Sequence, residues 1–124
     1  RKMGKIPHID LKRYDNIDYC ISQIVINQEG NIGLLGCDNS VHIFSRHGEY
    51  KNSYYPDIVS AEFLVPLRND WLVFNKNGEG LSLFLNNMLE IPEVSIPILD
   101  IKSMNRSVAV LSKDHILILN AQFQ

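Results

Sequence analysis

Short apolar runs separated by tight polar turns recur three times along this chain in the same order, and that repetition constrains the fold more than any other feature. The first copy reads Ile21–Ile26, a turn at Gln28-Glu29-Gly30-Asn31, Ile32–Leu35, a turn at Cys37-Asp38-Asn39-Ser40, Val41–Phe44, a turn at Arg46-His47-Gly48, and Glu49–Tyr55. The second reads Val59–Val65, Pro66-Leu67-Arg68-Asn69-Asp70, Trp71–Phe74, Asn75–Gly80, Leu81–Phe84, and Met88–Ile91 after Asn86-Asn87. The third reads Ile98–Ser103, Asn105-Arg106-Ser107, Val108–Leu111, Ser112-Lys113-Asp114 and Ile116–Leu119, and stops near Gln124 before a clear fourth run. Runs this short, bounded by Gly, Asn and Asp, are strands joined by hairpins. No stretch of ten or more residues keeps a helical period. Between Ile91 and Leu99 the prolines Pro92 and Pro97 would break an interior turn, so that segment reads as an extended link. The chain is therefore expected to be all-β.

Aligning Val41, Leu81 and Ile116 gives repeat spacings of 40 (81 − 41) and 35 (116 − 81) residues, the shorter one absorbed by shorter turns. The units fall at 21–57, 58–96 and an incomplete 97–124, preceded by an arm at 1–20. With 124 residues, 45% of them hydrophobic and 21% charged, the chain can build a packed interior and is not disordered throughout.

The run Leu34-Leu35-Gly36-Cys37-Asp38-Asn39-Ser40-Val41-His42-Ile43-Phe44-Ser45 resembles the WD-repeat consensus, in which a Ser-x-Asp-Gly-Thr turn leads into an apolar strand ending in Trp-Asp. Asp38 stands at the turn aspartate, Ser40 at the Thr position and Phe44 at the Trp position; in the third copy Ser112-Lys113-Asp114 matches Ser-x-Asp, with Leu119 in the Trp place. The second copy carries the looser turn Asn77-Gly78-Glu79-Gly80. The resemblance implies β-propeller blades, each a four-stranded antiparallel meander, with Asp38, Ser40 and Asp114 in structural turn roles. No Gly-His precedes a unit and no Trp-Asp closes one, so the buried His-Asp-Ser-Trp network of that family is not expected. A propeller ring needs four to eight blades. Three form an incomplete ring, to be completed by further blades of the same protein, a second copy or a protein partner. Ile6–Leu11 could supply the outer strand of an adjoining blade or a closing strand for the third.

Catalytic and metal chemistry find little support in the pattern. His8, His42, His47 and His115 are scattered, the cysteines lack a CxxC spacing, and Ser22, Ser40, Ser45, Ser60, Ser82 and Ser112 have no adjoining nucleophile pattern. No cofactor or metal is expected. His42 shares a strand face with Phe44, as a rim or partly buried residue. Cys20 and Cys37 are expected as reduced, buried thiols of an intracellular protein, cytoplasmic or nuclear. Twelve Lys and Arg against fourteen Asp and Glu give a net charge of −2 and no basic field for nucleic acid. Arg1, Lys2, Lys5, Lys12 and Arg13 read as a solvated arm. No apolar run is long enough for a transmembrane helix, and the opening residues look internal to a longer chain.

Tyr50, Tyr54 and Tyr55, with Arg46 and Lys51, cluster in the outer strand of the first unit. Tyr and Arg are the residues that carry binding energy at protein interfaces. The expected function is a non-catalytic protein–protein interaction scaffold. The competing expectation is part of a propeller enzyme acting on a sugar or small metabolite; the apolar inner runs Ile24-Val25-Ile26 and Phe63-Leu64-Val65 favour the scaffold.

Overall fold

The computed structural model describes residues 1–4, 8–104 and 106–120. Lys5, Ile6 and Pro7 of the arm, Asn105 of the third unit's turn, and 121–124 lie outside the described residues. The described residues form three antiparallel sheets, each in sequence order. The first comprises β1 (Ile21–Ile26), β2 (Ile32–Gly36), β3 (Val41–Phe44) and β4 (Tyr50–Tyr54). The second comprises β5 (Phe63–Leu67), β6 (Asp70–Phe74), β7 (Glu79–Ser82) and β8 (Asn87–Glu90). The third has β9 (Asp100–Met104), β10 (Ser107–Leu111) and β11 (Ile116–Asn120). The fold is all-β, made of stacked blade-like meanders that do not close on themselves.

The innermost strands β1, β5 and β9 lie side by side, and the sheets stack face to face. The second sheet is the sandwiched one. Its Leu64, Trp71, Val73 and Leu81 pack against Leu35, Val41 and Ile43 of the first sheet. Its Val65, Leu72 and Phe74 pack against Ile101, Val108 and Val110 on the third. Successive strand residues point to opposite faces, so a sheet covered on both sides needs apolar residues without a break, which is why β5 and β6 read as continuous hydrophobic runs. The sheets meet closely at Gly33: a Cβ there would stand 2.7 Å from the Trp71 ring. Gln23 adds a polar tie across the same interface, its Oε1 accepting from the Leu64 amide at 2.8 Å.

Most strand ends shift from the sequence reading, two of them for a clear physical reason. Strand β7 begins at Glu79 rather than Leu81, because the turn before it closes at Gly78, whose amide donates to the Asn75 carbonyl. The starts of β3, β7 and β11 are then 38 (79 − 41) and 37 (116 − 79) residues apart, so the repeat is more even than the aligned residues implied. Strand β5 runs through Pro66, which β5 tolerates as an edge strand of its sheet. As expected, the link after β8 is not helical, and it buries Ile91 and Ile98 in the core between the second and third sheets.

The arm forms no strand among its described residues. It makes one 3-10 turn, Leu11–Arg13, started by Asp10, whose side chain accepts from the Lys12 amide at 3.1 Å. Lys12 and Arg13 are exposed, but the arm's apolar residues are not free in solvent. Ile17 is buried with Leu34 and Phe44, and Ile9, Leu11 and Tyr14 pack on them, so the arm covers part of the first sheet's outward face. Ile24 on β1 stays outside this cover, 66% exposed, as does Ile26.

Candidate functional site

The outward face of the first sheet carries a chain of polar side chains running from the β2–β3 turn to the outer strand. It begins at Asp38, whose Oδ1 accepts from the Ser40 amide at 3.1 Å and from Ser40 Oγ at 2.5 Å. The turn geometry depends on Gly36, where a Cβ would lie 2.6 Å from Asp38 Oδ1 and 2.9 Å from Ser40 Oγ. Ser40 Oγ is 2.9 Å from His42 Nε2, and His42 Nδ1 is 2.7 Å from Ser53 Oγ. Ser53 in turn meets the Tyr50 hydroxyl at 2.6 Å and the Asn16 amide nitrogen at 3.2 Å. Asn16, from the arm, also donates to Tyr55 Oη at 3.2 Å and to Tyr50 Oη at 3.5 Å.

Counting protons fixes the direction of this relay. Ser40 has one hydroxyl proton and gives it to the Asp38 carboxylate, so toward His42 it can only accept. His42 therefore carries its proton on Nε2, leaving Nδ1 to accept from the Ser53 hydroxyl. Ser53 then accepts from Tyr50 and Asn16. The Ser40, His42, Ser53 and Tyr50 protons each meet one acceptor, and among the described residues no buried side-chain nitrogen or oxygen lacks a partner. A second proton on His42 has no acceptor in this arrangement, because both Ser53 lone pairs are taken. Burial also holds the His42 pKa below the ordinary imidazole value, against a smaller upward pull from the Asp38 charge. Asp38 is held below the usual carboxylate value, chiefly by the Ser40 hydroxyl and further by its amide, with burial opposing.

The sequence-predicted residues divide here. Asp38 and Ser40 form the turn at the foot of the relay. Tyr50 and Tyr55 stand at its other end, 40% and 66% exposed. Arg46 and Lys51 are exposed, Arg46 Nε donating to His47 Nε2 at 3.4 Å. Tyr54 parts from them: it pairs with Val41 and packs into the core between the first and second sheets. Its neighbours alternate faces along the strand, so grouping three tyrosines by sequence proximity placed one on the wrong side. Asp114 does not repeat the Asp38 geometry; it pairs with its neighbour His115 at 2.8 Å, while the buried Ser112 donates to the His115 carbonyl at 3.2 Å. Phe44, at the position matched to Trp, is fully buried and meets Tyr14 and Tyr50 edge-on at 5.3 and 5.7 Å.

Sequence reasoning missed several participants. A network of Asp, Ser and His was not expected without a Gly-His dipeptide, yet one forms, with its histidine supplied by the strand itself. Asn16 gave no signal, because only tertiary folding brings the arm to the outer strand. In the second sheet Asp70 accepts from the Ser82 hydroxyl and from the Phe84 amide, the latter at 2.9 Å, a strut visible only from the pairing of β6 with β7.

Cys20 and Cys37 also correct an expectation. They are joined in a disulfide, with Cα atoms 5.4 Å apart, and both are exposed rather than buried. The Cys37 amide donates to the Cys20 carbonyl at 2.9 Å, so the bond ties the start of β1 to the turn that holds Asp38. Among the described residues no group of three or more His, Cys, Asp and Glu is arranged to hold a metal, and no helix is long and apolar enough to cross a membrane. No protein-family model matches the chain, and no curated protein matches it at a significant level.

Proposed function

We propose that this chain is a run of three WD-repeat-like blades from a larger β-propeller, acting as a non-catalytic protein-interaction scaffold. The contact surface is the outer rim of the first sheet, formed by Tyr50, Tyr55, Arg46, Lys51 and Asn16. The observation that carries this reading is the way Asn16 and Ser53 hold the Tyr50 and Tyr55 hydroxyls from beneath while the rings remain open to solvent. Tyrosines fixed before binding lose little further freedom when a partner covers them, which favours affinity. Ser40 is 1% exposed and His42 is fully buried, so the middle of the relay is closed to solvent and reads as a support for the rim rather than as a nucleophilic centre.

The apolar residues left open on both outward faces of the stack support the larger ring. Ile24 and Ile26 are exposed at one end, and Met104, Leu111, Ile116 and Ile118 at the other. Faces of this kind are normally covered by a neighbouring repeat. The expected cytoplasmic or nuclear location rested on reduced thiols; with Cys20 bonded to Cys37, an oxidising compartment is the better reading.

A photo-crosslinking residue at position 55 of the full-length polypeptide tests the scaffold. A discrete protein adduct that disappears with Tyr50→Ala plus Asn16→Ala supports it. No adduct at that position, together with thermal stabilisation by a sugar or small metabolite, would transfer the reading to the enzyme class.

A further inference from the structure

The relay gives the tyrosine rim a polarity. The Asp38 carboxylate only accepts, so every proton behind it points toward the turn: Ser40 donates to Asp38, His42 Nε2 to Ser40, Ser53 to His42 Nδ1, and the Tyr50 hydroxyl to Ser53 at 2.6 Å. Tyr50 has thus given its hydroxyl proton inward, and toward solvent its oxygen can only accept. The same count orients Asn16. Ser53 has no proton left for it, so the amide nitrogen of Asn16, not its oxygen, faces Ser53 at 3.2 Å. That nitrogen carries two protons and has three hydroxyl oxygens in reach; Ser53 and Tyr55, both at 3.2 Å, take them ahead of Tyr50 at 3.5 Å. Tyr55 therefore accepts from Asn16 and keeps its own proton, which meets no acceptor among the described residues. Two hydroxyls that share one nitrogen neighbour now differ: Tyr50 offers lone pairs outward and Tyr55 offers a proton.

Both rings are held in place. Tyr50 packs on Tyr14 and Phe44, with centroids 5.5 and 5.7 Å away, and Tyr55 stands edge-on to the buried His42 ring at 6.3 Å. We propose that this pair of hydroxyls receives the side-chain carboxamide of an asparagine or glutamine on a protein partner, its N–H donating to Tyr50 Oη and its C=O accepting from Tyr55 Oη. The inference rests on the rim being a contact surface, and adds what that surface selects. A carboxamide is the side-chain group that carries a donor and an acceptor side by side in one plane. A carboxylate turns a lone pair against Tyr50, and an ammonium or guanidinium has nothing with which to accept the Tyr55 proton. Rings 40% and 66% exposed do not enclose a free small molecule, which ordinarily buries most of its surface; a side chain is brought to them by the protein that bears it.

The test is fluorescence anisotropy of the full-length polypeptide at neutral pH with a labelled Gly-Val-Gln-Val-Gly peptide, beside peptides carrying glutamate or lysine in place of the glutamine. The glutamine peptide is expected to bind about fivefold more tightly than either. Tyr50→Phe removes the acceptor and is expected to abolish the preference over glutamate. Ser53→Ala frees the Tyr50 proton to turn outward and is expected to raise the affinity of the glutamate peptide relative to glutamine. Circular dichroism checks the folding of both variants, and Tyr50→Phe, which keeps the ring, carries the test where Ser53→Ala does not fold. No binding of the glutamine peptide, equal binding of all three, or a glutamine preference that survives Tyr50→Phe would each overturn the proposal; so would displacement of the peptide by free glutamine at matching concentration, in favour of a small molecule. A protein adduct at position 55 together with equal binding of the three peptides strikes the selectivity and leaves the scaffold standing. A glutamine preference without an adduct supports the selectivity and counts against the scaffold.

Discussion

His42 Nδ1 lies 2.7 Å from the hydroxyl of Ser53, and that contact joins the aspartate turn of the first sheet to its tyrosine rim. The pair sits on neighbouring strands in direct register. Without it the Asp38–Ser40 turn and the Tyr50–Tyr55 surface would be independent features; with it, a change at one end reaches the other through a fully satisfied chain of donors.

Ser40→Ala removes the acceptor of His42 Nε2–H and the donor to Asp38 while leaving the ring buried. The expected loss is about 1–3 kcal/mol, the cost of stranding a buried polar group. Urea unfolding measures it. A change below about 0.5 kcal/mol would mean that His42 does not depend on Ser40.

Acidification weakens the fold through the same network. The folded pKa values of His42 and Asp38 lie below their ordinary values of 6.5 and 3.8. Below each ordinary value the unfolded chain takes a proton that the folded chain resists, so stability falls with pH. The His42 contribution is complete above about 6.5 and is lost as pH drops toward its folded pKa; the Asp38 contribution is lost below 3.8. Urea midpoints between pH 8 and 5 are expected to decline in the native sequence and to flatten in His42→Gln. An equal slope in both would assign the titration to another group.

Reduction of Cys20–Cys37, or the paired change to serine, releases a loop of sequence separation 17. The expected cost is about 3 kcal/mol for a loop of this size. Thiol titration of the unfolded, unreduced protein should find no free cysteine among the two. Finding both free would remove the argument for an oxidising compartment.

Gly33→Ala places a methyl group against the Trp71 ring, where the ideal Cβ position is 2.7 Å from ring carbon. Overpacking of this kind costs about 1–3 kcal/mol. Differential scanning calorimetry should show a lower midpoint, and Trp71 fluorescence should shift as the two sheets part. An unchanged midpoint would mean that the sheets do not meet there.

Tyr54→Ala and Tyr55→Ala are expected to separate cleanly. Tyr54 packs between two sheets, so its loss should destabilise by about 2–4 kcal/mol. Tyr55 is exposed, and its loss should change stability by about 0.5 kcal/mol or less while weakening partner binding. Equal unfolding midpoints for the two variants would contradict the strand pairing of Val41 with Tyr54.

Much of the architecture could be read before the structure was known, because apolar runs and Gly-Asn-Asp turns report directly on strands and hairpins. Strands β1 and β3 have the boundaries read from sequence, while β5 and β7 shift because a proline and two glycines obscure the pleat. Asp38 and Ser40 were legible as turn residues. Asn16, Ser53 and the function of His42 were not, since each is defined by a partner 11 to 39 residues away. The disulfide was hidden for the same reason: a spacing of 17 residues says nothing until β1 and the β2–β3 turn are brought together. Asn39 belongs in that group too, its amide donating to the Ile58 carbonyl and accepting from the Ala61 amide, both at 2.9 Å, across the passage from one sheet to the next.

The arm gives the stack two unlike ends. At the first sheet, Tyr14 and Ile17 already occupy the ground over Phe44, and an incoming neighbour would find only Ile24 and Ile26 near the axis. At the third sheet the full width from Met104 to Ile118 is open. The two outward faces of the stack are therefore unlike: among the described residues an apolar face is exposed beyond the third sheet, whereas on the opposite side the arm leaves an inner strip of β1 uncovered.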